Sequence, residues 1–448
     1  DGGWRGEVAP RVGRGLRNLG NSCFLNSILQ ALAHTAPLGQ MCIEGRHSRA
    51  CVVSGADQPC AFCIIERHIT AALAPREANI YNHGRSYNSS GYGGHGGGYH
   101  NNTGGGYGSG ISADDAFSPK EVFGNLHLLA RHFVRGRQED AHELLRLALE
   151  VMDKSCLRNC GRPLLGGGGS AAGPERPMPP TVVERIFQGK FQNQVKCLRC
   201  GYESNTYDPF LDVSLELPRV NSVSAAMSLF TEEERLDGEN QYQCARCNGL
   251  RPALKRLTVH EAPAVLVIHL KRFNIFGGKI SRPVRFDEDF TLHGHMSSNS
   301  LEPHGPSYRL YAVVVHAGGS VGSGHYYAFA RKPQLQETRI GEPQKQGHQK
   351  QEQKGGTGWH ILDDSTVRPA TRREVLEEQA YILFYERADG GLPPHAAAPL
   401  SAWGDASLSP NGNKCTVRPS NAAAVEERAA AARKRDDHQG GPTIGPQL

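Results

Sequence analysis

The sequence predicts an α+β fold in which helices come first and a sheet follows. Apolar residues recur at helical spacing in two places, 24–32 and 141–152. Short runs of β-branched and aromatic residues, typical of strands, lie in the second half of the chain, at 265–270, 309–316, 326–330 and 381–385. Helices and strands that are segregated along a chain indicate an α+β arrangement.

The first predicted helix begins at or just before Cys23. Its apolar positions repeat every three or four residues, and Asn21 or Ser22 can cap its first turn. The second predicted helix opens with Glu139 and Asp140, whose negative charges suit the positive end of a helix. Both helices are therefore expected to bury one face.

Length and composition indicate one large or two ordinary domains, together with segments that do not pack. The chain has 448 residues, of which only 38% are hydrophobic and 53 are glycine. Three internal stretches and the tail lack the apolar surface that would offset the entropy of ordering them. These stretches are residues 81–110, 165–180 and 333–358, and the tail lies beyond Arg387. We expect loops or tails there.

Charge and hydropathy argue against several classes of protein. The formal net charge of +5 is small and is not gathered on one face by any repeat, so nucleic acid is not an expected partner. No stretch approaches the roughly 20 apolar residues of a membrane span. The first residues, DGGWRGEVAP, lack the pattern of a secretory signal. We therefore expect an intracellular protein, cytoplasmic or nuclear, without a membrane segment.

Cys23 is a candidate nucleophile because a glycine turn leads into its helix, in GNSCFLNS. At a helix N-terminus the backbone N–H groups and the helix dipole favour a thiolate and lower the thiol pKa below about 8.5. Asn18, on the incoming loop, can donate a hydrogen bond to the oxyanion that forms when a thiolate attacks a carbonyl. On the residues alone, a small buried core cysteine is the alternative.

His325 and Asp363 supply the groups that a nucleophilic thiol needs. His325 follows a glycine loop in GSGHYYAFA, and Asp363 and Asp364 end a strand candidate in WHILDDSTV. An imidazole can accept the thiol proton, and a carboxylate can fix the imidazole tautomer. Two adjacent strands joined by the Gln-rich loop would bring His325 and Asp363 side by side.

The chain resembles the ubiquitin-specific proteases in several motifs. Their cysteine box is matched by GLRNLGNSCFLNSILQAL. Their histidine box is matched by YRLYAVVVHAGGSVGSGHYYAFA together with WHILDDSTVRPATRREVLEEQAYILFYER, and GRQEDAHELL and VIHLKRF match two further segments in the same order. Shorter phrases, RQEDAHELL, YDPFLDVSLEL, LDGENQYQC and FGGKI, resemble the subgroup that includes nucleolar and histone-directed members.

The resemblance implies a deubiquitinating thiol protease that hydrolyses the isopeptide or peptide bond after the C-terminal glycine of ubiquitin. In that role Cys23 is the nucleophile, His325 the base, Asp363 the third member and Asn18 part of the oxyanion hole. Asp364 also matches a polar family position, and of the two acids we favour Asp363. The resemblance implies no catalytic cofactor.

The resemblance also implies a papain-like hand. A helical thumb carries Cys23, a sheet-rich palm carries His325 and Asp363, and a finger sheet is tipped by zinc. We expect a catalytic domain over 15–388, preceded by an extension at 1–14 and followed by a disordered tail at 389–448. We expect a monomer.

The basic tail of ubiquitin calls for acidic groups along its path. Gln138, Asp140 and Glu143 match the segment that contacts this tail in the family, and Tyr326 is expected to wall the channel for its final glycines. Spacing by three on a helix would put Asp140 and Glu143 on one face. From the pattern alone, a capping box with solvated acids is the alternative.

Two Cys-x-x-Cys pairs, in KCLRCG and QCARCN, predict a structural metal site. The four thiols are Cys197, Cys200, Cys244 and Cys247, and four sulfur ligands in a closed site favour zinc. The family has such a zinc-pinned pair at the tip of its finger sheet. The residues between the two pairs must form strands that bring them together, and the alternation at 207–217 fits this expectation.

A second group, His47, Cys51, Cys60 and Cys63, has ligand chemistry as well. A second zinc ion is geometrically possible there, but a helix that simply buries the cysteines is the alternative. The sequence leaves this question open.

Three rival functions remain at this point. The first is a catalytically inactive ubiquitin-binding scaffold, the second a zinc-ribbon nucleic-acid binder, and the third a protease for a ubiquitin-like modifier. The sequence indicates neither a ubiquitin linkage preference nor a physiological target.

Overall fold

The computed structural model describes residues 12–51, 53, 59–74, 116–159, 180–273, 278–320, 322–331, 358–391 and 393–394. Apart from positions at their edges, the three predicted insertions and the predicted tail lie outside these residues. Most of the predicted N-terminal extension does so too. The division of the chain into extension, catalytic domain and tail therefore stays a prediction.

The first half of the described chain is helical. Its helices are α1 (Cys23–Ala33), α2 (Ala36–Ile43), α3 (Arg46–Ala50), α4 (Ala61–Leu73), α5 (Lys120–Gly124), α6 (Leu126–Leu129), α7 (Ala141–Asn159) and α8 (Val182–Phe187). α1 is buried along its whole length and packs against α2, α4 and α7. The helices predicted around 24–32 and 141–152 are confirmed as α1 and α7.

The second half is mainly strands. They are β1 (Gly189–Cys197), β2 (Glu203–Phe210), β3 (Val213–Glu216), β4 (Glu233–Leu236), β5 (Tyr242–Cys244), β6 (Gly249–Arg251), β7 (Ala253–Glu261), β8 (Val265–Lys271), β9 (Asp289–Thr291), β10 (Ser307–Ser320), β11 (Ser323–Arg331), β12 (Trp359–Asp363), β13 (Thr366–Pro369) and β14 (Ala380–Arg387). Two short helices, α9 (Val223–Phe230) and α10 (Arg372–Leu376), accompany them. The predicted α+β order is confirmed.

An eight-stranded sheet forms the centre of the molecule. Its order is β13-β12-β11-β10-β14-β8-β3, with β9 beside β10. Alternate residues of β10 enter different cores: Ala312 and Val314 pack in the core that contains α1, and Val313 and Val315 in the core that contains α9. Because both faces of β10 are buried, its sequence is an almost continuous apolar run.

A four-stranded sheet, β2-β1-β7-β4, extends away from this centre. Most side chains of β2 are exposed, so this sheet is a thin projection rather than a second core. The alternating stretch at 207–217 is split between two sheets, because β2 ends at Phe210 and β3 begins at Val213. The β5–β6 pair lies at the end of the projection that carries the cysteine pairs.

None of the helices in the described part of the chain combines the length and the hydropathy that crossing a membrane requires.

Candidate active site

The loop before α1 places Cys23 at the first residue of the helix. Gly20 and Asn21 both have positive φ angles, of 99° and 51°, and make the sharp entry that the glycine turn predicted. Ser22 occupies the N-cap position, but its hydroxyl makes no capping bond and instead accepts a hydrogen bond from Leu19 N at 2.8 Å. Ser22 is therefore the N-cap residue, as one of the two predicted candidates, but its side chain does not form the predicted capping hydrogen bond.

Burial decides the protonation of Cys23 in this conformation. The residue is only 2% exposed, and this burial raises the pKa of its thiol above the ordinary value. The backbone N–H of Tyr326 opposes the increase, the charge of Asp364 adds to it, and the N–H groups at the start of α1 oppose it more weakly. The helix terminus thus acts in the predicted direction, but burial outweighs it.

His325 and Asp363 lie next to each other, as predicted. His325 is near the start of β11 and Asp363 is the last residue of β12, its antiparallel neighbour. His325 Nε2 lies 2.6 Å from Asp363 Oδ1, and the two side chains are 40% and 42% exposed. The two residues are diagonal neighbours on the paired strands β11 and β12, and both side chains are accessible to solvent.

Asp364 has a different set of partners from Asp363. Its φ angle of 46° turns the chain between β12 and β13, so that its carboxylate faces the loop before α1. Oδ2 accepts a hydrogen bond from Asn18 Nδ2 at 2.9 Å, and Oδ1 accepts one from Asn26 Nδ2 at 2.7 Å. Asn26 was not predicted as a site residue, although an amide inside a mostly apolar helix, three positions after Cys23, was a visible signal.

Close backbone contact joins this turn to the N-terminal segment. Leu16 N donates to Asp364 O at 2.7 Å. A Cβ on Gly15 would lie 2.3 Å from Ser365 O, so only glycine fits at this position. The loop that carries Asn18 is therefore fixed directly on the turn that carries Asp364.

The Cys23 thiol contacts β11 at the backbone of Tyr326. The N–H of this residue, which follows His325, is directed at the Cys23 sulfur. In the described part of the chain no hydrogen bond links the Cys23 thiol to the His325 ring, whose Nε2 contacts Asp363. In free enzymes the hydrogen bond between a catalytic nucleophile and its base is often long, and it shortens when substrate binds.

The residues predicted to hold a substrate tail gather at the start of α7. Gln138 donates a hydrogen bond to Gly324 O, on the strand that carries His325. Asp140 is already engaged on both oxygens: Oδ1 accepts from His142 N and Glu143 N at 2.7 and 3.0 Å, and Oδ2 accepts from Tyr381 OH at 2.6 Å. The Asp140 side chain thus caps the first turn of α7, but Glu143 contacts His132, so the described contacts do not complete a capping box. Binding of a substrate tail by Asp140 stays a prediction.

Glu143 and Tyr326 differ sharply in exposure. The Glu143 side chain is 42% exposed, and its Oε1 lies 3.1 Å from His132 Nε2. Tyr326 is 1% exposed, and its ring packs near those of His316 and Tyr381. Glu143 is therefore accessible to a ligand, and Tyr326 forms part of a wall.

A buried polar network lies behind the start of α7. His142 Nε2 is 2.9 Å from Asp212 Oδ2, and Ser214 Oγ bonds both Asp212 Oδ2 and His269 Nδ1. The rings of His142 and His269 are stacked at 3.7 Å with only 12° between their planes. Because imidazole lone pairs lie in the ring plane, two parallel rings cannot both point at one ion. This cluster links α7 to β3 and β8 by hydrogen bonds.

The four cysteines predicted to bind metal come together at the end of the projecting sheet. Their sulfurs lie within 4.8 Å of one another, with Cys197 and Cys247 at 4.0 Å and Cys200 and Cys244 at 3.7 Å. Sulfurs that bind zinc tetrahedrally at about 2.3 Å are about 3.8 Å apart. The four thiols therefore fit a tetrahedral zinc ion.

A buried thiol at a helix start, packed against the strand that carries a histidine–carboxylate pair, is the arrangement of a thiol hydrolase. The family profile described as "Ubiquitin carboxyl-terminal hydrolase" matches residues 14–385. The chain belongs to this family.

Curated relatives are similar over most of this chain. Ubiquitin carboxyl-terminal hydrolase 25 of Arabidopsis thaliana is 35% identical over 408 residues, which are 89% of this chain and 50% of the relative. Ubiquitin carboxyl-terminal hydrolase 42 of Homo sapiens is 34% identical over 380 residues, 84% of this chain and 23% of the relative. The chain thus spans half or less of the length of these relatives.

Solved structures share the fold. The SAGA Ubp8/Sgf11/Sus1/Sgf73 DUB module bound to ubiquitin aldehyde matches with a TM-score of 0.59 and 22% identity, over 86% of this chain and 71% of that chain. A second structure of the SAGA DUB module, bound to monoubiquitin, matches with a TM-score of 0.59 and 24% identity, over 84% of this chain and 70% of that chain. The predicted fold class is confirmed.

Proposed function

We propose that this chain is a thiol-dependent deubiquitinase that cleaves the bond after the C-terminal glycine of ubiquitin. One observation carries the proposal: Asn18, on the loop before Cys23, and His325, on the strand that contacts α1, are each held by one of two successive carboxylates. Asp364 holds Asn18 and Asp363 holds His325, at 2.9 and 2.6 Å. Family membership and the ubiquitin in the related solved structures support ubiquitin as the substrate.

In the first half of the reaction, the Cys23 thiol transfers its proton to the imidazole of His325. The thiolate attacks the carbonyl carbon of the terminal glycine, and the carbonyl π electrons move to oxygen. When the C–N bond breaks, His325 gives the proton to the leaving amine, and a thioester remains on Cys23. Because burial raises the pKa of the thiol, ionisation depends on the imidazole as proton acceptor.

Asn18 is arranged to stabilise the oxyanion. Its Oδ1 accepts hydrogen bonds from Gly20 N and Ser22 N at 3.0 and 3.1 Å, which fixes the orientation of the amide. One hydrogen of Nδ2 is directed to Asp364. An amide nitrogen carries two hydrogens, so the second remains for the developing negative charge.

In the second half, His325 acts as general base toward water. Water adds to the thioester carbonyl, the C–S bond breaks, and the proton taken from water returns to the Cys23 sulfur. Asp363 keeps the imidazole oriented through both halves and stabilises its charged form.

We also propose that the substrate tail runs past Glu143 and along Tyr326. Glu143 is the exposed carboxylate that can meet an arginine of the tail, whereas Asp140 positions the helix and Tyr381. Gln138 closes the channel from the α7 side through its bond to Gly324 O.

The test uses a ubiquitin with an electrophile in place of its terminal carboxylate. We expect the full chain to form a covalent adduct, Cys23→Ala to form none, and Cys42→Ala to react like the unmodified chain. Cys42 is the matched control because it is a buried thiol of the helical half, 1% exposed, outside the site. An unreactive native chain, or an adduct that persists in Cys23→Ala, contradicts the proposal.

The same experiment separates ubiquitin from related modifiers. Electrophiles built on ubiquitin-like proteins are offered in competition with the ubiquitin reagent. We expect ubiquitin to win, and preferential labelling by another modifier would replace ubiquitin in the proposal.

We propose that Cys197, Cys200, Cys244 and Cys247 bind a structural zinc ion, and the spacing of their sulfurs supports this proposal.

We propose that the chain lies near the subgroup with nucleolar and histone-directed members, because it shares the short sequence phrases of that subgroup. We further propose that its catalytic domain, residues 15–388, is a monomer and acts inside the cell. Light scattering and imaging of a tagged chain test the last two points.

A further inference from the structure

We propose that His47, Cys51, Cys60 and Cys63 form a second metal site, which holds a zinc ion in the helical half of the protein. One ligand atom from each residue lies within 4.8 Å of the other three. His47, Cys60 and Cys63 are 5%, 6% and 0% exposed, and Cys51 is half-buried. Three thiols and one imidazole are a donor set that zinc takes in closed structural sites.

The spacing agrees with tetrahedral coordination. His47 Nε2 lies 3.3 Å from Cys60 Sγ. With a Zn–N bond of about 2.0 Å and a Zn–S bond of about 2.3 Å, the expected edge between two such ligands is about 3.5 Å. The two ligands therefore need only a small movement to bind one ion.

The imidazole is held in position by groups outside the cluster. Its ring stacks on Phe62, with 4.2 Å between centroids and 23° between planes. The carboxylate of Glu66, 2% exposed, accepts hydrogen bonds from His47 N at 2.9 Å and from Ser48 N at 2.8 Å. Glu66 and Phe62 thus fix α3 on α4, and the fixed backbone points His47 Nε2 at the three thiols.

Simple burial of cysteines by α4 does not account for this arrangement. Burial explains Cys63, because thiols behave as small apolar groups in cores. It does not explain why a buried histidine turns its ring nitrogen toward sulfur instead of a backbone carbonyl. His34, another buried histidine of this half, bonds Gln30 O at 2.7 Å and accepts from Gly13 N at 3.3 Å.

The position of the site gives it a structural role. It ties α3 to the first turn of α4, and α4 packs against α1, which carries Cys23. At the other end of α4, Ala72 O accepts a hydrogen bond from Arg14 N. Arg14 belongs to the segment that leads to Asn18. A zinc ion here braces the helical wall behind the nucleophile without touching the substrate.

Metal analysis of the full chain, purified without chelators, tests the inference. We expect about two zinc ions per chain, one in each site. Cys63→Ser and His47→Ala are expected to retain about one, and Cys200→Ser is expected to lose the other. The matched control Cys42→Ser, a buried thiol outside both clusters, should keep both. One zinc per chain in the unmodified protein, or an unchanged count in Cys63→Ser, overturns the inference.

A second measurement remains informative where a variant does not fold. The finger site offers only sulfur, so any nitrogen ligand in the zinc X-ray absorption spectrum of the unmodified protein reports His47. We expect a nitrogen shell at about 2.0 Å. We also expect it to vanish in His47→Cys, which keeps both ions with an all-sulfur shell. An all-sulfur spectrum of the unmodified protein overturns the inference.

Discussion

The side-chain amide of Asn18 donates a hydrogen bond to the carboxylate of Asp364, 2.9 Å away, and so connects the loop before Cys23 to the turn after β12. The preceding residue, Asp363, faces His325 instead. Two neighbouring acids thus hold two different residues of the candidate site. Because their contacts differ, their substitutions should leave different kinetic signatures.

Substitution of Asp363 should impair the chemical step of catalysis. In Asp363→Asn the imidazole of His325 loses the carboxylate that orients it and stabilises its charge, so kcat should fall by about 10²–10⁴. Hydrolysis of a fluorogenic ubiquitin amide at saturating substrate measures kcat. An unchanged kcat in Asp363→Asn would contradict this role.

Substitution of Asp364 should act through Asn18. Asn18→Ala removes an oxyanion donor and should lower kcat by about 10²–10³, with little change in KM. Asp364→Ala leaves the amide unanchored and should lower kcat by part of that amount. In the double variant the two losses should not add, because both remove one function. Additive losses in this double-mutant cycle would show that the two residues act independently.

Acid should destabilise the protein through His34. Burial lowers the pKa of this histidine to about 4 from 6.5, while the bond to Gln30 O acts in the other direction. Between these values the unfolded chain binds a proton that the folded chain does not, so stability is complete above about pH 6.5 and is lost as the pH falls toward about 4. In His34→Gln, the difference in unfolding free energy between about pH 7 and about pH 5 should shrink by about 1–2 kcal/mol. Urea titrations at both pH values measure it, and an unchanged difference would rule out His34 as the cause.

Gly15 should not tolerate a side chain. In Gly15→Ala the new methyl group meets Ser365 O at 2.3 Å, so the N-terminal segment must move away from the turn that holds Asp364. We expect a loss of about 1–3 kcal/mol in unfolding free energy, together with reduced kcat. Gly124→Ala is the control, because nothing lies within 4 Å of its added Cβ. Equal thermal stability of the two variants would argue against the close contact.

Loss of the proposed zinc ion at the end of the projecting sheet should impair substrate binding more than the chemical step. Cys200→Ser leaves three thiols at the end of a sheet that has little core of its own, so the β5–β6 pair should lose its anchor. We expect a several-fold increase in KM for ubiquitin substrates, with kcat changed less. Ser228→Ala, whose hydroxyl is exposed on α9, provides a control for substitutions near this sheet. A Cys200→Ser variant with unaltered zinc content and KM would count against the site.

Local sequence patterns were sufficient for much of this architecture. α1 and α7 were predicted from helical periodicity, and β8, β10, β11 and β14 from β-branched and aromatic runs. The pairing of His325 with Asp363 followed from two adjacent strands. The helices and strands could be predicted from short stretches of sequence, because the period of the apolar positions specifies both the type of element and its buried face.

Other features depend on tertiary contacts that no local pattern contains. The opposite orientations of Asp363 and Asp364 follow from a single positive φ angle, at Asp364. The increase in the pKa of Cys23 depends on burial by the folded chain and on the charge of Asp364. Asp140 was predicted to face a ligand, but Tyr381, from the far end of the chain, occupies one of its oxygens.

The bond between Asn18 and Asp364 spans 346 positions of the chain. A contact between such distant residues forms only after almost the whole domain has been synthesised, and contacts of this kind are the slow ones in folding. On the ribosome, the Cys23 sulfur emerges long before the carboxylates that orient its neighbours. A nascent chain that has not yet reached Asp364 therefore carries the thiol without the groups that hold Asn18 and His325 in place.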